Sequence, residues 1–248
     1  MATITGKEVL GLIEIENLVK RRGTQEILSG ISFKARPGRV TGFLGPNGAG
    51  KSSTLRILLG IDRATSGTAL IHGKPFSQLH NPLTVVGAAL DGSGAHRSRT
   101  GRAHLRWMAY AAGLPRVRVK EVLEIAGLTK VANQRVGKYS LGMGKRLGIA
   151  AALLGDPEVL ILDEPVNGLD PEGIRWIRTF LRERAAAGNT VLLSSHLMGE
   201  LAETVDDVVI IKHGIIVADG TLEEVTANYS SLEEAFFALT SDKTGDGV

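Results

Sequence analysis

A glycine-rich stretch from Gly45 to Ser53 constrains the fold of this chain more than any other feature of its sequence. It fits the pattern G-x-x-x-x-G-K-[ST]. The apolar run Val40–Leu44 before it predicts a buried strand, and the run from Ser52 to Leu59 predicts a helix that stops at Gly60. A loop of this kind between a strand and a helix is the structural context in which the pattern binds phosphate.

The residue types of the loop suit a chain of phosphates for physical reasons. Glycines let consecutive backbone N–H groups curl around an anion without a Cβ clash. The start of the following helix adds unpaired amides and the positive end of its dipole. Lys51 would reach the β- and γ-phosphates, and the Ser52 hydroxyl would ligate Mg²⁺. The predicted nucleotide-binding residues of the loop are Gly45, Pro46, Asn47, Gly48, Ala49, Gly50, Lys51, Ser52 and Ser53.

Composition narrows the class of protein further. The 248 residues, 43% of them hydrophobic, suffice for one large core or for a core with a smaller subdomain. No apolar run approaches the roughly 18 residues that a membrane span needs, and we expect no signal peptide. The absence of cysteine suits the cytoplasm. A net charge of +3 is too small to indicate a nucleic-acid partner.

The regions flanking the loop favour strands joined by turns. Residues 12–16 alternate with period two, residues 27–33 form a second strand-like run, and residues 68–72 form a third. We therefore expect an antiparallel sheet packed beside the nucleotide-binding core.

From about residue 97 to residue 138 the apolar residues recur at helical spacing. The same region is basic, and its cations are Arg97, Arg99, Arg102, Arg106, Arg116, Arg118 and Lys120. A solvated helix face is the simpler explanation. Contact with a membrane-embedded partner near anionic headgroups is the other.

After residue 139 the pattern returns to alternating strands and helices. Residues 159–162 and 190–193 read as strands buried on both faces, Pro171 begins a helix, and residues 208–217 read as a hairpin. Asp163 and Glu164 close the first of these strands. An acid at that point can ligate Mg²⁺ beside the phosphate loop, and Glu164 is then placed to activate a water as general base.

Together these features resemble the nucleotide-binding subunits of ABC transporters over nearly the whole chain. Beyond the phosphate loop (Walker A) and the acid pair (Walker B), three stretches follow the order of the family. Residues 139–143, Tyr-Ser-Leu-Gly-Met, resemble the signature LSGGQ, residues 167–170, Asn-Gly-Leu-Asp, resemble the D-loop, and His196 after Ser194 and Ser195 resembles the switch histidine.

The resemblance implies an α/β fold: a P-loop NTPase core of RecA type with a mainly parallel sheet, an antiparallel β subdomain and an inserted α-helical subdomain. We expect a single domain over residues 1–240. Its ATP-binding core and β subdomain would take about 12–90 and 155–225, and its helical subdomain would take about 91–154. Residues 241–248 would form a disordered tail.

The resemblance also implies the mechanism. Two copies, expected to form a homodimer, would sandwich ATP and Mg²⁺ head to tail, with Ser140 and Gly142 of one copy touching the γ-phosphate held by the other. Asp170 would contribute from the D-loop, Glu164 would activate water, and His196 and Lys51 would complete the catalytic set. Hydrolysis would then drive a separate transmembrane permease. The subunit would be cytoplasmic and peripheral on the inner face of the membrane, without a nucleic-acid partner.

Some positions depart from the family pattern. Arg22 stands where the family usually has an aromatic residue stacked on adenine, although a guanidinium can also stack. Asp91 stands at the Q-loop glutamine and could still ligate Mg²⁺. Leu141 and Met143 replace a glycine and a glutamine of the signature. The combination resembles subunits of bacterial drug and antibiotic exporters, including the daunorubicin-resistance type. The cargo itself would be chosen by the permease.

Other classes explain less of the sequence. A soluble ABC-type ATPase acting on ribosomes or DNA usually carries tandem domains or long coiled coils, and neither pattern is present. A regulatory subunit that binds nucleotide without hydrolysis is disfavoured by the intact Lys51, Asp163, Glu164 and His196. A P-loop kinase or GTPase would explain neither the signature nor the histidine.

Overall fold

The computed structural model describes residues 12–90, 94–196 and 198–241. Two sequence-based expectations lie outside these residues: the Mg²⁺-ligating role of Asp91, and the disordered tail apart from Ser241. Among the helices of the described ranges, none combines the length and the apolar character needed to cross a bilayer.

The described residues form both strands and helices. The strands are β1 (Ile13–Arg22), β2 (Gln25–Ala35), β3 (Val40–Leu44), β4 (Ser66–Ile71), β5 (Val86–Ala89), β6 (Val159–Asp163), β7 (Thr190–Ser195), β8 (Asp207–Lys212) and β9 (Ile215–Thr221). The helices are α1 (Lys51–Leu58), α2 (Pro82–Val85), α3 (Gly101–Ala111), α4 (Val117–Ile125), α5 (Leu141–Ala152), α6 (Pro171–Ala186), α7 (Met198–Leu201), α8 (Leu222–Thr226) and α9 (Leu232–Thr240).

The strands form two sheets. A six-stranded sheet has the order β5-β6-β7-β3-β8-β9, and all its neighbours are parallel except β8 and β9. A three-stranded antiparallel sheet has the order β2-β1-β4. The predicted combination of a mainly parallel sheet with a small antiparallel sheet is therefore confirmed.

The central strands are aliphatic along their whole length because both faces of the large sheet are covered. The two faces contact two separate hydrophobic cores, as strand β7 shows. Val191 and Leu193 belong to a core shared with helices α3 to α6, whereas Leu192 belongs to a second core shared with α1 and the antiparallel sheet. Side chains alternate across a strand, so consecutive residues stabilise opposite layers.

The helical region between β5 and β6 contains α3, α4 and α5, as the spacing of apolar residues predicts. Two of these helices begin at side-chain caps: the Thr100 hydroxyl accepts from the Ala103 amide, and the Ser140 hydroxyl accepts from the Met143 amide. Part of the basic character is structural, because the Arg118 guanidinium donates to the carbonyls of Leu153 and Leu154.

Candidate functional site

The carboxyl ends of three neighbouring strands converge on one edge of the large sheet. Strand β3 runs into the glycine-rich loop, β6 ends at Asp163, and β7 ends at Ser195. Because β7 lies between β6 and β3, with Asp163 opposite Ser194 and Leu44 opposite Ser195, the residues that follow the strands are neighbours. This edge is where open α/β sheets bind ligands.

The loop is shaped by glycine where no other residue fits. Gly50, with a φ of 114°, immediately precedes α1, and a Cβ there would lie 2.5 Å from Cδ2 of Leu28. The Thr54 amide donates to the Gly50 carbonyl at 2.9 Å. An α-helix leaves the amides of its first turn without helical acceptors, so those of Lys51, Ser52 and Ser53 are available to an anion.

Lys51 is buried at the floor of this loop. Its Nζ donates to the Gly45 carbonyl at 2.6 Å and lies 3.9 Å from Oε1 of Glu164. Burial lowers the pKa of this ammonium, and the nearby carboxylates of Glu164 and Asp163 oppose the shift. A cation held among carbonyls and carboxylates at the start of a helix is well placed to bind phosphate oxygens.

Asp163 is held by hydroxyl groups on both of its carboxylate oxygens. The Ser52 hydroxyl donates to Oδ2 at 2.9 Å, and the Ser194 hydroxyl donates to Oδ1. Hard oxygen ligands from one or two side chains, completed by phosphates and waters, are the usual environment of Mg²⁺. Ser52 and Asp163 therefore fit the predicted metal-binding role.

Glu164 has an unusual backbone and an unpartnered oxygen. Its φ is 50°, and its amide donates to the Ser194 carbonyl at 3.1 Å. Nδ1 of His196 lies 2.9 Å from Oε1, whereas Oε2 is buried and has no hydrogen-bond partner among the described residues. Backbone strain and unsatisfied buried polar atoms both concentrate at functional sites. The free oxygen is suited to accept a proton from a water.

Three further predicted residues, Ser140, Gly142 and Asp170, lie on a second surface. Ser140 caps α5, and the Asp170 carboxylate caps α6 by accepting from the Gly173 amide at 2.9 Å. A Cβ placed on Gly142 would lie 3.2 Å from the Gly168 carbonyl, so α5 begins against the D-loop of the same chain. These residues line a cavity of about 520 Å³, whereas the phosphate loop lines another of about 400 Å³.

The sequence missed two residues at the phosphate cavity, and the cavity lining does not include four residues that the sequence predicted to bind nucleotide: Arg22, Gly45, Pro46 and Ala49. Gln25 and Ile27, at the start of β2, line the cavity with the loop and the acid pair. Arg22 is outside this lining, and its Nη2 lies 3.6 Å from Oδ2 of Asp62. Gln25 could have been located from its pairing with Arg22 across the β1–β2 hairpin. That pairing is known only once the register of the two strands is known.

A strand–loop–helix phosphate site, with two acids at the end of a strand two places away in the same sheet, defines a P-loop nucleoside triphosphatase. Residues 28–167, more than half of the chain, match the family model described as ABC transporter. The chain belongs to this family and is an ATP-binding subunit of an ABC transporter, as its sequence predicted. The predicted ATPase activity is confirmed with it.

Characterised relatives support this assignment over most of their length. The chain is 40% identical over 211 residues to the bacitracin transport ATP-binding protein BcrA of Bacillus licheniformis, covering 84% of this chain and 69% of the relative. It is 32% identical over 225 residues to the lantibiotic transport ATP-binding protein SrtF of Streptococcus pyogenes, covering 91% of this chain and 96% of the relative.

A solved structure agrees with the fold. The ATP-binding subunit of an ABC transporter superposes with a TM-score of 0.84 at 27% sequence identity, covering 93% of this chain and all of that one. The predicted fold class is confirmed by this similarity and by the sheet topology.

Proposed function

We propose that two copies of the chain bind ATP and Mg²⁺ head to tail, and that hydrolysis powers a separate membrane permease that exports an antibiotic-like or lipid-like compound. The observation that carries the catalytic part is the geometry of Glu164. One carboxylate oxygen is held by His196, and the other is buried and unpartnered among the described residues. A positioned carboxylate of this kind serves as general base for water.

Each member of the phosphate site has a distinct role in this proposal. Lys51 and the amides at the start of α1 bind the β- and γ-phosphates. Ser52 and Asp163 would hold Mg²⁺, which would supply positive charge beside the phosphates. Glu164 takes the proton of the attacking water, and His196 fixes the orientation of that carboxylate and contacts the γ-phosphate.

The homodimer is supported by the division of the predicted site between two cavities. Lys51, Ser52 and Asp163 line one cavity, whereas Ser140, Gly142 and Asp170 line the other. A second copy in head-to-tail orientation would bring the start of α5 to the phosphates and add the positive end of its dipole. Two such contacts related by a two-fold axis close on themselves, as homodimer interfaces usually do.

The proposed class of cargo is supported by the names of the relatives. BcrA is named for bacitracin transport and SrtF for lantibiotic transport. Both names refer to antibiotics, so the proposed cargo of this system belongs to that broad class. The subunit would act from the inner face of the membrane, attached through the permease. Co-purification with a polytopic membrane protein encoded by an adjacent gene would test this arrangement, and elution without any such partner would contradict it.

Substitution Glu164→Gln tests the catalytic assignment. Loss of the base should lower ATP turnover about 100-fold or more. ATP binding should persist, so an ATP-bound dimer should accumulate and elute earlier than the ATP-free protein. Turnover by phosphate release and size by light scattering measure the two effects.

The matched control is Glu158→Gln, because Glu158 precedes the opposite end of the same strand and its side chain is exposed beside His72. This variant should retain wild-type turnover. Unchanged turnover of Glu164→Gln, with no ATP-dependent change in size, would remove Glu164 from the mechanism.

A further inference from the structure

We propose that helix α3 binds the headgroups of anionic phospholipids through an exposed basic and aromatic surface, so that the subunit contacts the membrane itself as well as through a permease. We call this surface the basic-aromatic face, and it consists of Arg99, Arg106, Trp107, Tyr110 and Arg116. None of these residues lines the two cavities that the proposed function uses. The inference goes beyond that function, in which the permease alone attaches the subunit to the membrane.

The segment that contains α3 has an uneven distribution of charge. Residues 94–120 include seven lysines and arginines and no aspartate or glutamate, whereas the whole chain carries a net charge of only +3. The excess of positive charge is therefore concentrated in this one segment, and the rest of the chain is net negative. A concentrated positive field attracts anionic surfaces, and the attraction is strongest at low salt.

Three arginines of the basic-aromatic face have no anionic partner in the described part of the chain. Arg99, Arg106 and Arg116 are exposed and form no ion pair with any residue that the structure describes. Nearby cations differ in this respect, because Arg118 and Lys120 each pair with a glutamate of helix α4. Charges that the described chain leaves unpaired are available to an anionic surface.

Two aromatic side chains of the face are exposed to solvent. Trp107 is 54% exposed and Tyr110 is 83% exposed. They lie three residues apart on α3, and residues at that spacing are neighbours on a helix surface. Tryptophan and tyrosine combine an apolar body with a polar tip, so they are enriched where membranes meet water, at the level of the headgroups. The exposed pair therefore fits an interface between water and lipid better than free solvent.

Trp107 is held on this surface by an arginine. The guanidinium carbon of Arg99 lies 4.9 Å from the centroid of the indole ring, in a cation–π contact. The opposite side of α3 is anchored in the protein, because Leu105 and Ala109 are buried in the core. The aromatic ring and the positive charge are consequently presented together on the outside.

A cavity of about 480 Å³ connects the two aromatic residues with two of the arginines. Arg106, Trp107 and Tyr110 of α3 line it together with Arg116 at the start of α4. The other lining residues are uncharged: Ala109, Gly113, Leu114 and Val119. Guanidinium groups bind phosphate oxygens through paired hydrogen bonds, and apolar walls suit the glycerol and the upper acyl chains. The cavity therefore matches a phospholipid headgroup better than a free inorganic anion.

The number of arginines sets the expected strength of this contact. One arginine close to an anionic bilayer strengthens binding about fivefold, so three contribute on the order of 100-fold. Such a contribution suffices to orient and reinforce a subunit that a permease already holds. The cytoplasmic leaflet contains the anionic lipids, and the proposed function places the subunit at that leaflet. Arginines and aromatic rings would also suit a nucleic acid, which is therefore included among the tests.

The first test measures co-sedimentation of the purified full chain with lipid vesicles in the absence of nucleotide. Binding to vesicles of phosphatidylglycerol and phosphatidylcholine should be at least about tenfold tighter than binding to phosphatidylcholine alone. It should weaken when the ionic strength rises from about 0.05 M to about 0.5 M, because salt screens exposed charges. Equal binding to both kinds of vesicle, or binding to neither, would overturn the inference and leave the proposed ATPase mechanism intact.

The second test removes two arginines from the cavity. The double variant Arg106→Gln with Arg116→Gln should bind the anionic vesicles about 25-fold more weakly, at about fivefold for each arginine. The matched control is Arg63→Gln with Arg175→Gln, which removes the same charge from two exposed positions outside the face and should bind like the wild type. Both double variants should retain the ATP turnover and the unfolding temperature of the wild type. An equal loss of vesicle binding in the control would show that net charge alone attracts the vesicles, and would overturn the inference.

The third test locates the lipid by fluorescence, because the chain has two tryptophans, Trp107 and Trp176. In the variant Trp176→Phe, the emission of Trp107 should shift to shorter wavelength when anionic vesicles are added, since its indole leaves water. In the variant Trp107→Phe, the emission of Trp176 should not shift, because this indole stacks on Phe180 and donates to the Ile125 carbonyl. Vesicle binding by Trp176→Phe without any shift would place the lipid on another surface and overturn the inference.

The fourth test compares the lipid with the two competing partners of the same face. The double variant Arg106→Gln with Arg116→Gln should lose vesicle binding while it still co-purifies with the permease. If it kept vesicle binding and lost the permease, the face would belong to the permease. If it kept vesicle binding and lost affinity for a DNA duplex that the wild type binds, the face would belong to a nucleic acid. Either result would overturn the inference.

Discussion

Leu141 occupies a position where the family signature usually has glycine, and its side chain packs against a glycine of the D-loop. A Cβ placed on Gly168 would lie 2.4 Å from Cδ2 of Leu141 and 2.8 Å from its Cγ. The φ of Gly168 is 77°, which non-glycine residues rarely adopt. The leucine in the signature therefore depends on the glycine in the D-loop, and the two stretches of one chain are packed together.

We predict that Gly168→Ala destabilises the protein by about 1–3 kcal/mol, because it adds both backbone strain and a clash with Leu141. In a Leu141→Ala background the loss of stability should be smaller, because only the backbone strain at Gly168 remains. Urea unfolding of the two single variants and the double variant measures the coupling.

Gly113→Ala supplies the reference for strain, since Gly113 has a φ of 66° and nothing within 4 Å of a built Cβ. An equal penalty for Gly168→Ala in both backgrounds would show that Leu141 does not pack on Gly168 in solution.

The residues proposed to bind phosphate and Mg²⁺ and to activate water were predictable from the sequence because each belongs to a short local pattern. Lys51 and Ser52 lie in one loop, and Asp163 and Glu164 end one strand, so their spacing alone indicates their chemistry. Ile27 and Gln25 were not predictable, since their place at the cavity depends on the β1–β2 register and on contacts with Gly214. Ser194 likewise reaches Asp163 only because β6 and β7 are neighbours.

Among the secondary-structure elements, α5 combines a structural and a proposed functional role at its first turn. The Ser140 hydroxyl accepts from the Met143 amide at 3.2 Å and so caps the helix. The same hydroxyl is the group proposed to meet the γ-phosphate of a second copy. Helix α3 offers a matched comparison, because Thr100 caps it in the same way with a bond of 3.1 Å to the Ala103 amide.

We predict that Ser140→Ala costs about 1 kcal/mol of stability and also removes ATP-dependent dimerisation. Ser140→Asp should keep the stability, because aspartate caps helices as well as serine does, and should still prevent the dimer by repulsion from the γ-phosphate. Thermal unfolding and light scattering of the ATP-bound protein in the Glu164→Gln background measure the two properties separately.

Thr100→Ala should lower stability by a similar amount and leave the dimer intact. If Ser140→Asp still dimerised with ATP, the start of α5 would not face the nucleotide of a second copy.

The long elements followed from hydrophobic periodicity, whereas several short ones did not. Strand β5 has four residues, and Gly87 within it weakens any strand signal. That glycine is required by packing, because a Cβ there would lie 2.2 Å from the Ala152 carbonyl at the end of α5. Helices α8 and α9 were also not predicted. Their N-caps, Thr221 and Ser231, each precede acidic residues and so match the sequence pattern of a helix start.

For the whole molecule, the proposed function implies that one chain carries two incomplete sites. The phosphate loop and the acid pair lie at the carboxyl edge of the large sheet, whereas Ser140 and Gly142 begin a helix of the inserted region and line another cavity. A head-to-tail dimer would combine the loop of each copy with the signature of the other. Such a dimer predicts that two different inactive variants can complement each other, whereas a site formed by one chain alone does not allow this.

We predict that two inactive variants restore activity when mixed. Lys51→Ala destroys the loop of its own copy but keeps its signature, and Ser140→Asp does the reverse. A heterodimer of the two would contain one site with both defects and one intact site, so an equimolar mixture should recover at most about half of wild-type ATPase activity, the share that one intact site in each dimer allows. Mixing Lys51→Ala with Glu164→Gln is the matched control and should stay inactive, because both defects lie on the loop side and every pairing leaves each site damaged. Recovery in neither mixture would place Lys51 and Ser140 in the same site of one chain, and would remove the head-to-tail dimer from the mechanism.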